Sequence, residues 1–306
     1  MHRLLPFIIL LAATAPAAFA QVVPPESVAP PDHRSFYSRI QGLFDFDLPE
    51  IDPPGTVKLV VHPHLGDLVR RDYMRLDGGF RWALNNQFEI SPAAVIYFNH
   101  GLGGGNDGYG VGLVRIGTKY VIPAWPIPAM ETSLTLGVDR PVGHAPIDMT
   151  DGFNHLTPAI TVQHRSRDHW KWTTFGSVGL DLVSQSRVAG TPVRNEPHDD
   201  SVNFTVGAIY DLGQLRYTMS ATYATTAWIG DESHDFYYLN PSIIWYVPKK
   251  YTFNSKTQWI VGLGARISWG PDGSEISLNS SLRAEITFRQ VMEKMKVLKP
   301  AEQTTP

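Results

Sequence analysis

The sequence predicts an all-β chain: a single antiparallel up-and-down transmembrane β-barrel of about twelve strands behind an N-terminal signal peptide. Three observations predict it. Two-faced segments are long enough to cross a bilayer, their connections alternate between long and short, and aromatic residues gather at both segment ends. The clearest segment is 275–288. Ile276, Leu278, Ser280, Leu282, Ala284, Ile286 and Phe288 alternate with Ser277, Asn279, Ser281, Arg283, Glu285 and Thr287. Side chains on a strand point to opposite faces in turn, so this segment has one apolar face and one polar face. A half-buried strand of a soluble domain alternates over roughly four to eight residues. This alternation runs longer, and a tilted strand crossing a bilayer needs about nine to eleven residues.

Residues 1–20 predict an export signal. His2 and Arg3 precede the apolar run Leu4–Ala13, and Ala18-Phe19-Ala20 is a small-x-small cleavage site that leaves Gln21 as the first mature residue. The chain has no cysteine, which excludes a lipoprotein anchor, a disulfide framework and thiolate metal sites. No later segment is apolar for long enough to form a membrane helix. The formal net charge of −3 and the lack of a long basic block exclude nucleic acid as an expected partner. Residues 21–55 read as a leader: Pro24-Pro25, Pro30-Pro31 and Pro53-Pro54 punctuate it, Ser35–Phe44 suits a short helix, and Asp45, Asp47, Glu50 and Asp52 form an acidic patch. A periplasmic tether is the expectation, and a plug that folds back into a lumen is its alternative.

The barrel is expected over 56–289. Its first strand sets Val57, Leu59, Val61 and Pro63 against Lys58, Val60, His62 and His64. The second sets Met74, Leu76, Gly78, Phe80, Trp82 and Leu84 against Arg75, Asp77, Gly79, Arg81 and Ala83, and Asn85-Asn86 signals a two-residue hairpin. In the third, Phe88, Ile90, Pro92, Ala94, Ile96 and Phe98 oppose Glu89, Ser91, Tyr97 and Asn99. Val114, Ile116, Thr118 and Tyr120 then oppose Arg115, Gly117 and Lys119, and Met130, Leu134, Leu136 and Val138 oppose Glu131, Ser133, Thr135 and Asp139. The sixth and seventh strands are less regular: Leu156, Ile160 and Val162 against Thr157 and Thr161, then Trp172, Val178, Leu180 and Leu182 against Lys171, Thr173 and Asp181. The pattern sharpens through Val202–Tyr210, Leu215–Tyr223, Tyr237–Val247 and Trp259–Trp269, and 275–288 is the twelfth strand.

Long connections (100–108, 140–154, 185–200, 229–235) alternate with short ones (Asn85-Asn86, 165–169, Leu212-Gly213), with 121–128 and 248–256 of medium length. An even strand number puts both termini on the short-turn side, as periplasmic delivery requires. Trp82, Phe88, Tyr120, Trp125, Trp170, Tyr210, Trp245, Trp259 and Phe288 mark the short-turn ends. Tyr73, Phe98, Tyr109, Phe153, Trp228, Tyr237 and Trp269 mark the long-loop ends. Amphipathic rings prefer the two membrane interfaces, so two such belts point to a membrane.

With its export signal, paired belts, loop rhythm and aromatic-ended last strand, the region 56–289 resembles bacterial outer-membrane β-barrel proteins. The resemblance is architectural. It implies residence in the bacterial outer membrane, contact with its lipid, and the barrel-assembly machinery as a partner. Many such barrels end on the terminal aromatic that this machinery reads; here a tail of residues 290–306 follows, expected in the periplasm.

Lipid leaves no partner for open backbone groups, so the barrel closes and its polar faces turn inward. The expected lumen set is Lys58, Arg75, Asp77, Arg81, Glu89, Arg115, Lys119, Glu131, Asp139, Lys171, Asp181, Arg216, Arg266, Arg283 and Glu285. These charges either pair across a narrow lumen and seal it, or line a path for small, anionic solutes. Twelve strands stand between filled eight-stranded barrels and open sixteen-stranded porins. The functional expectation is therefore a narrow channel for small solutes, not an enzyme, with a structural or adhesive barrel as the alternative. A second alternative, a lipid acyl hydrolase, rests on His164-Arg165-Ser166, where a base and a hydroxyl share a strand face. That pair falls in a short turn on the wrong side of the membrane. His62, His64, His100, His144, His155, His198 and His234 map to the long-loop half with several aspartates, but no ligand spacing recurs. No metal and no cofactor is expected. The glycine-rich 101–105 lacks the lysine and βαβ context of a phosphate cradle.

Overall fold

The computed structural model describes residues 48–65, 67–70, 72–102, 108–123, 127, 130–143, 150–165, 171–185, 199–253 and 257–287; for residues 69, 70, 277, 279, 281, 285 and 287 it describes the backbone. The signal peptide, the leader up to residue 47, Ser166, Trp125, Trp170, Phe288 and the tail lie outside the described residues.

Twelve strands follow in chain order: β1 (Val57–Pro63), β2 (Tyr73–Ala83), β3 (Phe88–Asn99), β4 (Tyr109–Ile122), β5 (Met130–Pro141), β6 (Phe153–Arg165), β7 (Trp172–Gln185), β8 (Ser201–Asp211), β9 (Leu215–Thr225), β10 (Asp235–Tyr246), β11 (Gln258–Gly270) and β12 (Gly273–Thr287). A single helical turn, α1 (Asp67–Arg70), stands between β1 and β2. Each strand pairs antiparallel with the next, and β12 pairs back onto β1, so the sheet closes into one barrel. Closure gives every strand a paired neighbour on each side, which is the condition for crossing hydrocarbon with β structure. Apart from β1, with 7 residues, the strands hold 11 to 15 residues, enough to span.

The alternation read from the sequence sorts the two faces. Phe80, Ile116, Leu136, Val206, Met219 and Leu263 all stand exposed on the outside. Around water this would be one continuous apolar patch; around lipid tails it is the solvated face. The chain is thus a transmembrane β-barrel of the bacterial outer-membrane type. Among the described residues no helix is long and apolar enough to cross a membrane. Trp82, Tyr120, Trp172 and Trp245 belong to the short-turn belt, with Trp172 against Tyr210 at 4.7 Å; Tyr109, Trp228, Tyr237 and Trp269 belong to the other.

Several local expectations are corrected. Tyr73 and Phe153 are not belt residues. Tyr73 shares the inward register of Arg75 and Asp77 and is buried with Val95, Tyr97 and Leu113; Phe153 shares the register of His155 and lines the interior. The Asn85-Asn86 hairpin is a wider turn, because Leu84 N–H bonds Phe88 C=O and the Asn85 side chain accepts the N–H groups of Gln87 and Phe88. Asparagine works there as a side-chain acceptor that caps the turn. The fourth strand starts at Tyr109, ahead of Val114, with a register shift between Val95 and Ile96. The long–short rhythm also breaks at β11–β12, which are joined by Pro271-Asp272 alone, with Gly273 at φ +110° closing the turn.

The closing seam is short. The β1–β12 ladder runs from Lys58↔Thr287 to Val61↔Ala284, whereas β12 pairs with β11 along its whole length to Gly270↔Gly273. Ile276 and Leu278, 69% and 71% exposed, stand on the part of β12 beyond that ladder.

Candidate functional site in the barrel lumen

The inward faces of the strands build the site, in three levels. At the short-turn end the lumen is filled. Residues 48–52, the last part of the leader's acidic patch, lie inside it, with Leu48 fully buried among Phe175, Ile209, Ile244, Tyr246 and Ile260. These partners are the inward residues of β7, β8, β10 and β11, so an apolar anchor sits where a polar lining was expected. Gly207 makes room for it, since a Cβ there would collide with the Phe175 ring.

Around that anchor lies a charge network. Glu50 accepts hydrogen bonds from Arg165 and, at 3.1 Å, from the Gln163 amide, which also donates to Glu131 at 2.6 Å. The Glu50 main-chain carbonyl accepts from Lys119 Nζ at 3.1 Å. Asp52 pairs with Lys58. Arg81 Nη2 meets Glu89 Oε1 at 2.7 Å, with Lys119 Nζ at 3.8 Å from the same oxygen. Lys58, Arg81, Lys119 and Arg165 thus face Glu50, Asp52, Glu89 and Glu131, four cations against four carboxylates. Desolvated charges persist only when paired, and each of these four carboxylates has a cationic or amide partner. On the far wall Arg216 forms an ion pair with Asp211, Nε to Oδ2 at 2.8 Å, and lies over the Tyr246 ring.

Above this level the lumen opens. One cavity of about 370 Å³ is lined by His62, Asp77, Gly79, Arg81, Glu89 and Arg283 among others. A second, about 650 Å³, is lined largely by Thr135, Thr157, Thr161, Ser177, Asn203, Thr205, Ser220, Thr222 and Asn240. The two share Arg115, Gly117, Gly137, Asp139 and Thr157, so the space is contiguous. Gly117 and Gly137 are opposite each other in register, and a Cβ at Gly117 would stand 2.5 Å from Ser91 Oγ. Missing side chains at this pair keep the junction open. Charges here are also matched: Arg115 Nε to Asp139 at 2.8 Å, and Arg266 over Tyr238 with Cζ 4.3 Å from the ring centre.

At the long-loop end, carboxylates hold the wall in place. His155 lies between Asp151 and Asp181, each at 2.8 Å. Arg75 reaches Asp67 of α1 at 2.8 and 3.0 Å, a two-pronged contact that fastens the turn to β2. His62, His64 and Asp77 stand together, with Asp77 Oδ2 at 3.8 Å from His62 Nδ1 and 3.1 Å from His64 Nε2. Outside the membrane, Asp199 joins two loops by accepting the N–H groups of Asp200, Asp231 and Glu232.

Of the expected lumen residues, all but Lys171 and Glu285 are placed on the inner wall. Lys171 is exposed in the turn, one residue before β7 begins. Glu285 is placed by its backbone, opposite Val60 and Gln258. Sequence reasoning overlooked Gln163 and Arg165, although both continue the register of Thr157 and Thr161. It also overlooked the inward aromatics Phe175, Tyr238 and Tyr246, because strands whose inner face is apolar show no alternation. For the hydrolase pair, His164 lies on the outer register of β6, opposite Met130 and Thr174. Its serine is outside the described residues.

No family model matches this sequence, and no curated protein matches it. Solved structures do resemble it. An outer membrane channel from Pseudomonas putida F1 aligns with a TM-score of 0.47 at 14% identity, covering 80% of this chain and all of that one. The KdgM porin aligns with a TM-score of 0.39 at 10% identity, covering 76% of this chain and 97% of its own. OccK7 (OpdD) of Pseudomonas aeruginosa aligns with a TM-score of 0.36 at 8% identity, covering 70% of this chain and 55% of its own. None shares enough sequence with this chain to carry a solute across.

Proposed function

We propose that this barrel is a narrow outer-membrane channel for small, polar solutes, occluded at its periplasmic end by residues 48–52. The observation that carries the reading is the contiguous lumen space, bounded by Thr, Ser and Asn side chains and reaching Arg81 and Glu89, above a short-turn end filled by the Leu48 anchor and the Glu50 network. Hydroxyl and amide groups donate and accept in turn, so a hydrated solute exchanges water for wall contacts at little cost. The lumen bases are engaged by carboxylates or stacked on rings, which supports uncharged polar cargo over a dedicated anion path.

Planar-bilayer recording of the purified barrel tests this. Small stepwise conductance is expected, larger in a chain whose residues 48–52 are replaced by Gly-Ser repeats. Silence from both forms, with folding shown by heat-modifiable gel mobility, would leave a structural barrel instead. Equal conductance in the two would remove the occluding role of 48–52.

A further inference from the structure

The lumen wall near the long-loop end carries a group of side chains to which the proposed passage gives no role beyond lining it. His62 and His64 are two residues apart, so both leave β1 and its end on the inward side. Asp77 is the cross-strand partner of His62 in the β1–β2 ladder. Alternation and register thus bring two imidazoles and one carboxylate to one point on the wall. One ligand-capable atom from each residue lies within 4.8 Å of the other two. The rings are 4.7 Å apart at a 33° tilt, neither stacked flat nor turned away.

We propose that His62, His64 and Asp77 form a binding site for a borderline divalent transition-metal ion such as Zn²⁺. Metal–nitrogen and metal–oxygen bonds of about 2.0–2.2 Å in a tetrahedral site set neighbouring ligand atoms roughly 3.3–3.6 Å apart. The Asp77 oxygen stands at 3.1 and 3.8 Å from the two imidazole nitrogens, on either side of that separation. Small rotamer adjustments complete the triangle. The other Asp77 oxygen, Oδ1, is buried without a hydrogen-bond partner among the described residues, so the carboxylate has acceptor capacity to spare. All three side chains are part-exposed to the lumen, at 14% to 29%, which leaves a fourth position for water or a solute. Two imidazoles with one carboxylate favour zinc, nickel, cobalt or copper over calcium and magnesium, which take oxygen ligands. Arg115 lines the same cavity, but its guanidinium is drawn to Asp139 at 2.8 Å. The chemistry is ligand exchange: the ion gives up water as it takes the three ligand atoms, and a hydrogen on a ligating ring nitrogen passes to the other nitrogen of that ring or to solvent.

The test is titration of the untagged full chain, folded in detergent, with Co²⁺. One ion per barrel should give visible absorption of a low-coordinate nitrogen–oxygen site, and Zn²⁺ should abolish it. His62→Ala, His64→Gln and Asp77→Asn should each weaken binding at least roughly tenfold, and His164→Ala, on the lipid side, should leave it unchanged. His64 follows the strand and is the most exposed of the three, so its replacement tests the site even where another variant fails to fold. No saturable absorption, or wild-type affinity in His64→Gln, would overturn the proposal. Displacement by Mg²⁺ as readily as by Zn²⁺ would do the same. This readout stands whether or not the lumen conducts.

Discussion

Lys119 Nζ on β4 donates a 3.1 Å hydrogen bond to the main-chain carbonyl of Glu50. A lysine buried in the barrel wall therefore reads the backbone of the leader, while Arg165 and Gln163 read its carboxylate. The segment is held by position and by charge together, and its removal would strand cations inside the lumen.

That arrangement predicts how the segment is released. The chain has no cysteine, so Leu48→Cys supplies a single thiol at the anchor. It should react slowly with a maleimide in the otherwise unchanged barrel. Adding Glu50→Ala removes the two charged hydrogen bonds from Arg165 and Gln163, worth about 1.5–3 kcal/mol each, and should speed labelling roughly a hundredfold or more. Equal rates would mean that the apolar cluster alone holds the segment.

The Arg81–Glu89 pair predicts a stability effect. Both side chains are almost fully buried and meet at 2.7 Å. Arg81→Ala leaves Glu89 facing Lys119 at 3.8 Å and should cost about 3–5 kcal/mol, seen as a lower urea midpoint for unfolding from micelles. Replacing both residues by apolar side chains of similar volume should recover much of that loss.

Loop order should depend on pH through Asp199. Its slight burial pushes the carboxyl pKa up, but the N–H groups of Glu232, Asp200 and Asp231 outweigh this and hold it below the ordinary carboxylate range, with His234 adding to them. A depressed folded value means that the contribution is present above the ordinary range and lost as pH falls through the folded pKa. Amide exchange at Asp231 and Glu232 should therefore accelerate on acidification. Asp199→Asn should remove that dependence.

The two faces of the wall should respond in opposite ways to the same substitution. Leu263→Arg puts a charge against lipid and should destabilise folding by about 2–4 kcal/mol if it lies near the bilayer centre. Ser177→Arg points into the lumen, where it should leave folding intact and reduce conductance.

Much of the barrel was legible because its physics is local. The 275–288 segment announced itself through period-two alternation, and the same rule put Arg75, Arg81, Arg115 and Arg283 on the inside. The aromatic belts were legible for Trp82, Trp245 and Trp269, whose register is outward. Tyr73 and Phe153 misled because an aromatic near a strand end reads as belt whichever way it points; only counting from Asp77 and His155 reveals the side.

The sequence by itself determined strand number, the two faces and the membrane as solvent, because alternation is a property of each strand alone. Only the tertiary structure decided what occupies the lumen. Closing the sheet brought Glu50 to Arg165, 115 residues on, and Leu48 to Ile244, and the β1–β2 register brought His62, with His64 just past the strand, to Asp77. Such meetings depend on the order and stagger of neighbouring strands, and no local pattern in the chain records them.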